Sequence, residues 1–415
     1  MFVGLAVLVT VVAWRPHGWG PTVGAVAAVA VAALGGAVHL ADLRTAADAQ
    51  WRAYITLASI MTMTSTAERM GLLERLAAII EPRTRGPVRH AFRVTFVLSA
   101  AVAAVLSNDA AILLMTPTVL LLLRTVYPKR HPKFLVPFAI AVFAAAGVAP
   151  LVISNPMNLI FADHNGIGFN EYAISMIPVA LVGWLTTYAV LAWIFRAPLS
   201  DPDPALGAWP ARPPPLTIGP LVVLAVVGAA LCAYPVMAYV DAPLWPVAAA
   251  GAAVCLVASL ASGHPPAALV RGIAWTIFPF LLGVFVLAIA LDRVGVVEWL
   301  RSLYDVAPGR TATIGVTSAV GSAVLNNHPM SVLNAFALEG AHDPHHTDAL
   351  AALVGGDLGP RLLPVGSLAS LLWYDLLRSH QVVVRVATFI RVGVLLTVPT
   401  LTISLVVLWL VGQLR

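Results

Sequence analysis

Residues Arg93 to Arg124 read RVTFVLSAAVAAVLSNDAAILLMTPTVLLLLR, an apolar run with Ser107-Asn108-Asp109 at its middle and basic residues at both ends. Arg83, Arg85, Arg89 and His90 stand before it; Lys129, Arg130, His131 and Lys133 follow it. Short loops rich in Lys and Arg remain cytoplasmic, so the run starts and finishes on one face of a membrane and is not a span. Val94 to Leu123 is therefore expected to be a re-entrant hairpin entering from the cytoplasm. Its polar tip would lie at membrane depth, where irregular backbone is tolerated only against protein or a water-filled cavity.

Composition supports that setting. Of 415 residues 60% are hydrophobic and 10% charged, with a mean hydropathy of +0.90, values outside the range of soluble domains. A hydrocarbon core about 30 Å thick takes about 20 apolar residues per helix, and such runs recur from end to end. Phe2 to Trp14 has no basic residue before it and no small-residue cleavage site, so a first span is expected rather than a signal peptide. The net charge of +5 is spread over short loops, and no basic cluster interleaved with aromatics points to nucleic acid. Cys232 and Cys255 sit in apolar runs without CxxC or Cys/His spacing, which argues against a disulfide framework or a thiolate metal site.

Asp201 to Pro215 reads DPDPALGAWPARPPP, a stretch too polar and Pro-rich to span. It divides the chain into a first repeat at 1–196, a linker at 197–215 and a second repeat at 216–415. Glu68-Arg69-Met70-Gly71 through Leu76 resembles Asp292-Arg293-Val294-Gly295 through Leu300. In the same order, Ser107-Asn108-Asp109 matches Leu325-Asn326-Asn327, and Ser154-Asn155-Pro156-Met157-Asn158 matches Pro364-Val365-Gly366-Ser367-Leu368. Ordered matches across two halves indicate duplication.

Phe134 to Ala162 should cross outward, interrupted near Asn155-Pro156. The loop with Asp163, His164 and Glu171 lacks Lys and Arg, as does the one with Glu339, His342, Asp343, His345, His346 and Asp348; both belong outside. Thr311 to Leu338 is then a hairpin entering from outside and Ala349 to Leu376 a broken helix returning inward. The expected fold is an all-α polytopic membrane protein of two inverted repeats. Each repeat has five transmembrane helices plus a re-entrant hairpin, with broken helices at the midplane. Ten spans place both termini outside. Arg293, Arg301 and Arg310 outnumber Glu298 and Asp305 in a segment that this topology makes external.

Half-helix ends at the midplane present unpaired N–H and C=O groups to a substrate. The side chains decorating them are hydroxyls and amides, Ser107, Asn108, Ser154, Asn155, Asn158, Asn326, Asn327 and Ser367, with His328 and the single carboxylate Asp109. A lining without Arg or Lys suits a neutral polyhydroxyl solute better than an anion; the competing role for such amides is to tie off broken backbone. Asp109, with no basic neighbour in sequence, is a candidate proton carrier. Asp357 is a second, although Arg361 four residues on makes a structural ion pair equally plausible. The exposed His342/His345/His346 group is read as solvated rather than metal-binding, and Glu68 and Asp292 as interfacial charges.

Asp357-Leu358-Gly359-Pro360-Arg361-Leu362-Leu363-Pro364-Val365-Gly366-Ser367 through Trp373 resembles the signature stretch of the bacterial arsenite and antimonite efflux permeases, the arsenical pump membrane proteins. Asn108-Asp109, Ile153 to Asn158, Gly166 to Tyr172 and Asn326-Asn327 with Pro329 extend the likeness over nearly the whole chain. The resemblance implies an ion-transporter-superfamily fold in a bacterial inner membrane, exporting trivalent arsenic and antimony in exchange for protons. The substrate contacts expected from the polar interruptions at the tips and breaks are Ser107, Asn108, Asn155, Asn158, Asn326, Asn327, Gly366 and Ser367. Some members work with a soluble ATPase partner. This chain contains no nucleotide loop of its own: Lys129 and Lys133 are its only lysines and neither follows Gly. No cofactor is expected, the proton gradient supplying the energy. Pro156 and His328 depart from the family pattern and bear on fine specificity.

Physics agrees with proton coupling. Trivalent arsenic in neutral water is an uncharged trihydroxide on which the membrane potential exerts no pull, whereas one inward proton gains about 2.3 kcal/mol per 100 mV. A sodium/proton antiporter or an anion transporter of the same superfamily is the alternative, the latter disfavoured by the Arg-free tips. An intramembrane aspartyl protease using Asp109 and Asp357 is disfavoured because Val354 precedes Gly355-Gly356-Asp357.

Overall fold

The computed structural model describes residues 10, 21–201, 217–240, 242–265, 273, 275–306, 309–339 and 346–414. The expected first span, the greater part of the Pro-rich linker, and His342 and His345 lie outside the described residues. Among the described residues the fold is all-helical.

In the first half, α1 (Pro21–Leu34) and α2 (Leu40–Arg69) lead to α3 (Leu72–Thr84) through Gly71 at φ +71°. In the second, α9 (Ile218–Tyr239), α10 (Trp245–Ala261) and α11 (Ile277–Arg293) lead to α12 (Val296–Val306) through Gly295 at φ +83°. Both matched glycines thus supply the left-handed turn that only glycine adopts without strain. The α11–α12 pair bends by 74°. Along α12, Val297, Leu300 and Tyr304 are buried and Trp299 is exposed, the one-sided pattern of a helix lying along an interface.

Two helix–break–helix units stand at the positions expected for the hairpins. The first has α4 (Val88–Val105) and α5 (Asn108–Val126), broken at Leu106-Ser107; the second has α13 (Arg310–Leu325) and α14 (Asn327–Ala337), broken at Asn326. Val88–Val105 is long and apolar enough to cross a bilayer.

Each hairpin packs against a broken helix: α4 and α5 against α6 (Leu135–Ala145), and α13 and α14 against α15 (Thr347–Leu358). The second pieces cross over. The half-helix α7 (Pro156–His164) packs on α14 of the other half, and α16 (Leu368–Ser379) packs on α5. The closing helices α8 (Phe169–Ile194) and α17 (Val386–Gln413) pack on one another. The first break is longer than expected. It runs from Ala146 to Asn155, with one 3-10 turn at Val152–Ser154, because Pro150 and Pro156 exclude continuous helix. Pro156 itself occupies the first turn of α7, where a missing N–H costs nothing.

Charges gather at two ends. Arg130 and Lys133 reach Asp201 at 3.3 and 3.8 Å, and Arg124 donates to the His380 carbonyl at 2.8 Å. At the opposite end His164 meets Glu339 at 3.7 Å and His346 meets Glu171 at 3.6 Å. The arginines that argued against an external segment are each paired there: Arg293 with Asp42, Arg301 with Glu298 at 3.0 Å, and Arg310 with Asp305 and with Asp348 at 2.7 Å. Arg301 also donates to the Phe336 and Ala337 carbonyls at the close of α14, where a cation is favoured.

Candidate functional site

The two hairpin tips make the same contact. Asn108 Nδ2 donates to the Gly147 carbonyl at 3.0 Å, and Asn326 Nδ2 donates to the Val365 carbonyl at 3.1 Å; each reaches 39 residues along the chain, into the break of its own half. Asn326 holds φ +84°, a strained conformation for a residue with a side chain, which persists only where the surroundings enforce it. Its Oδ1 accepts from the His328 N–H at 3.3 Å, so one amide fixes both the tip and the start of α14.

The breaks carry the other expected side chains. Asn155 caps α7 by accepting from the Met157 N–H at 3.1 Å, and Ser367 caps α16 by accepting from the Ser370 N–H at 3.0 Å. Ser154 Oγ donates to the Ala104 carbonyl at 2.7 Å, joining the first break to the last turn of α4. Gly366 lies against the Pro360 Cα, the Ala323 Cα and the Ser322 carbonyl, with no room for a Cβ. Asn108, Asn155, Asn158, Asn326, Asn327 and Ser367 are all buried; Ser107 and Asp109 are half-buried.

The halves meet through Asp357. Its carboxylate accepts from the Ala149 N–H at 2.9 Å, from Asn155 Nδ2 at 2.7 Å and from Asn158 Nδ2 at 3.1 Å, all in the first half. Asn158 Nδ2 also donates to Tyr172 Oη at 2.7 Å, and Tyr172 Oη donates to the Ala149 carbonyl at 3.0 Å. Tyr172 and the backbone of Ala149 are thus working parts of the cluster that polar side-chain spacing did not single out. The only advance trace of Tyr172 was its place at the end of the Gly166 to Tyr172 stretch.

Two expectations need correction. The Asp357–Arg361 ion pair suggested by their spacing is not made. Arg361 instead donates to the Ala144 carbonyl and, at 3.3 Å, to Thr187 Oγ1. Nor is the region free of basic charge, because Arg361 is 3% exposed and lies against the same break. The reason is geometric: Asp357 lies in the last turn of α15, which ends at Leu358, and Arg361 closes the 3-10 turn Gly359–Arg361 that follows, so the two are not on one continuous helix face. Asp109 has no hydrogen bond or ion pair among the described residues.

Asn158 Oδ1, Asn327 Oδ1 and His328 Nε2 are buried without a partner, as are Ser322 Oγ and Arg361 Nε nearby. The first three belong to α7 and α14, which pack together. Buried polar atoms are nearly always paired, so unpaired amide oxygens mark places suited to a hydroxyl donor. An open cleft of roughly 590 Å³ approaches from the end bearing Asp163, lined by Trp51, Arg52, Thr56, Val152, Leu159 and Asp163 among others. Val152 lies in the first break and Leu159 follows Asn158, so the inner wall of the cleft backs onto the cluster.

Comparison with known proteins gives a consistent answer. The sequence model of the family described as "Arsenical pump membrane protein" matches residues 1–411. The chain is similar to an arsenical pump membrane protein of Escherichia coli, at 29% identity over 96% of each protein. It is also similar to a putative arsenical pump membrane protein of Bacillus subtilis, at 28% identity over 95% of this chain and 96% of that protein. Among solved structures, the Alcanivorax borkumensis YdaH transporter matches with TM-score 0.54 and 16% identity, covering 86% of this chain and 84% of that one; that likeness concerns the fold alone.

Proposed function

The chain belongs to the arsenical pump membrane protein family, and from that premise we propose that it exports trivalent arsenic as the uncharged trihydroxide, and antimonite likewise, in exchange for protons. The observation that carries the proposal is the Asp357 cluster. It is a buried carboxylate ringed by amides, with two further amide oxygens unpaired nearby. A trihydroxide offers three O–H donors and no charge, which suits unpaired amide oxygens near a carboxylate whose direct partners are all N–H donors.

The substrate set is Ser107, Asn108, Asn155, Asn158, Asn326, Asn327, Gly366 and Ser367; the proton-coupling set is Asp109 and Asp357. Every contact to Asp357 is an N–H donor aimed at a carboxylate oxygen. The three donors occupy three of the about four lone-pair sites of the carboxylate, and adding a proton removes the charge that strengthens all three bonds. Protonation therefore loosens α15 from the first break, coupling proton entry to movement between the halves. The cleft beside Thr56 and Leu159 is the exit route to the outside. In this reading residues 1–196 and 216–415 are inverted repeats with five spans each, joined by the linker at 197–215, and a soluble ATPase is an optional partner rather than a requirement.

The test is arsenite accumulation in everted membrane vesicles, with and without a protonophore, for wild type and for Asp357→Asn and Asp109→Asn. Uptake should collapse with the protonophore and in the Asp357→Asn protein. Uptake that ignores the protonophore and requires ATP would refute proton exchange. Undiminished uptake in either variant would remove that carboxylate from the mechanism.

A further inference from the structure

Arg361 is the buried cation in this region for which substrate binding gives no use. Its guanidinium donates to the Ala144 carbonyl and to Thr187 Oγ1. Ala144 lies in the last turn of α6, whose final carbonyls lack intrahelical partners and carry the negative end of the helix dipole. The chain makes room for it. A Cβ at Gly147 would collide with Arg361 Nη2, and one at Gly393 of α17 would fall on the Arg361 carbonyl.

The two oxygen partners of Arg361 are a carbonyl at the C-terminal end of the interrupted helix α6 and a hydroxyl of α8, and its Nε is buried without a partner. Secondary transporters coordinate a coupling sodium ion with unwound carbonyls and half-helix C-terminal ends of this kind. A guanidinium is permanently charged and keeps its donors in a fixed fork, so it satisfies such carbonyls without an ion from solution. We propose that Arg361 is a tethered cation that fills the position of a coupling sodium ion, and that it thereby restricts this carrier to protons. This deepens the proton-exchange reading and rests on it. Asp357 and Arg361 hold opposite ends of one break: Asp357 binds the Asn155 and Asn158 side chains at the start of α7, and Arg361 the end of α6. With Asp357 ionised the pair is neutral overall; with Asp357 protonated it is positive, so a further mobile cation would be repelled. Arg361 acts through the backbone it holds and is a positioning residue.

The experiment uses the full chain carrying Arg361→Ala or Arg361→Lys, measured in two ways. Purified protein is melted in choline, sodium or millimolar guanidinium chloride. Everted vesicles are assayed for arsenite uptake in the same cations. Wild type should have one melting midpoint and one uptake rate in all three. The Arg361→Ala protein should lose uptake in choline, regain it with guanidinium or sodium, and melt higher in those cations than in choline. Arg361→Lys, which keeps the charge, should stay sodium-independent at reduced uptake; this arm decides the matter if the alanine variant does not fold. A sodium-dependent wild type or lysine variant, full uptake by Arg361→Ala in choline, or a folded Arg361→Ala protein indifferent to added cations would each overturn the proposal. The melting arm needs no arsenite, so a failure of the substrate assignment would leave its result intact and distinguishable.

Discussion

Replacing Tyr172 by Phe removes one oxygen and leaves the ring in place. That oxygen accepts from Asn158 Nδ2 at 2.7 Å and donates to the Ala149 carbonyl at 3.0 Å, and Tyr172 is fully buried. Each buried hydrogen bond contributes about 1 kcal/mol net, and an acceptor left unpaired costs about 1–3 kcal/mol. Asn158 keeps its bond to Asp357, so the larger penalty falls on the Ala149 carbonyl alone. The sum is about 2–4 kcal/mol against the arrangement that presents Asn158. If that arrangement binds substrate, the loss corresponds to a roughly 30- to 700-fold weaker apparent affinity for arsenite, at tenfold per 1.4 kcal/mol. The assay is initial uptake against arsenite concentration in everted vesicles, paired with the melting midpoint of the purified protein. Tyr188→Phe is the control, since that ring packs on Phe92 and Phe96 without a hydrogen bond among the described residues. A Tyr172→Phe protein with unchanged midpoint and affinity within twofold of wild type would refute the reasoning.

Asn108→Ala and Asn326→Ala each forfeit a bond to a carbonyl 39 residues away, and Asn326→Ala also forfeits the bond from the His328 N–H. Each should lower stability by about 1–3 kcal/mol in denaturant or thermal melts, Asn326→Ala the more because alanine is strained at φ +84°. Gly359→Ala places a methyl against the Ala319 carbonyl where α15 runs into its break. Overpacking of about 1–3 kcal/mol should reduce the yield of folded protein, while Gly168→Ala, with open space around it, should not. Pro156→Ala should lose only about 0.4–1 kcal/mol through the freer unfolded chain and keep arsenite uptake near wild type. Asp357→Asn combined with Arg361→Ala should be more stable than the sum of the single variants predicts, by about 0.5–3 kcal/mol, because neither single variant leaves a neutral interior. Strict additivity in melting experiments would show that the two charges do not sense each other.

The hairpins and breaks were legible because a polar residue inside an apolar run is expensive and therefore conspicuous. Asn108, Asn155, Asn326 and Ser367 announced themselves in that way, and each proved to cap a half-helix or to tie a tip to a break. What stayed hidden was the backbone. Gly147, Ala149 and Val365 act through peptide groups, and Ala, Gly and Val in an apolar stretch look like any others. Tyr172 and Thr187 were missed because an aromatic ring or a hydroxyl within a long helix is ordinary; only partners 23 and 174 residues away give them a role. The error over Arg361 has the same root. A spacing of four residues brings side chains together on a continuous helix, and here the helix ends between them.

The two halves share their frame but not their charges. Both have a tip amide bound to a break carbonyl and a polar cap on the second half-helix. The first break, Ala146 to Asn155, contains no ionisable side chain, while the residues around the second supply Asp357 and Arg361, and both reach into the first. A mirrored second pair would put two more buried charges at membrane depth, each costly unless fully compensated. Under the proposed exchange a neutral substrate asks for nothing in return for that expense, and the single carboxylate that links the halves would be enough to let a proton decide when they separate.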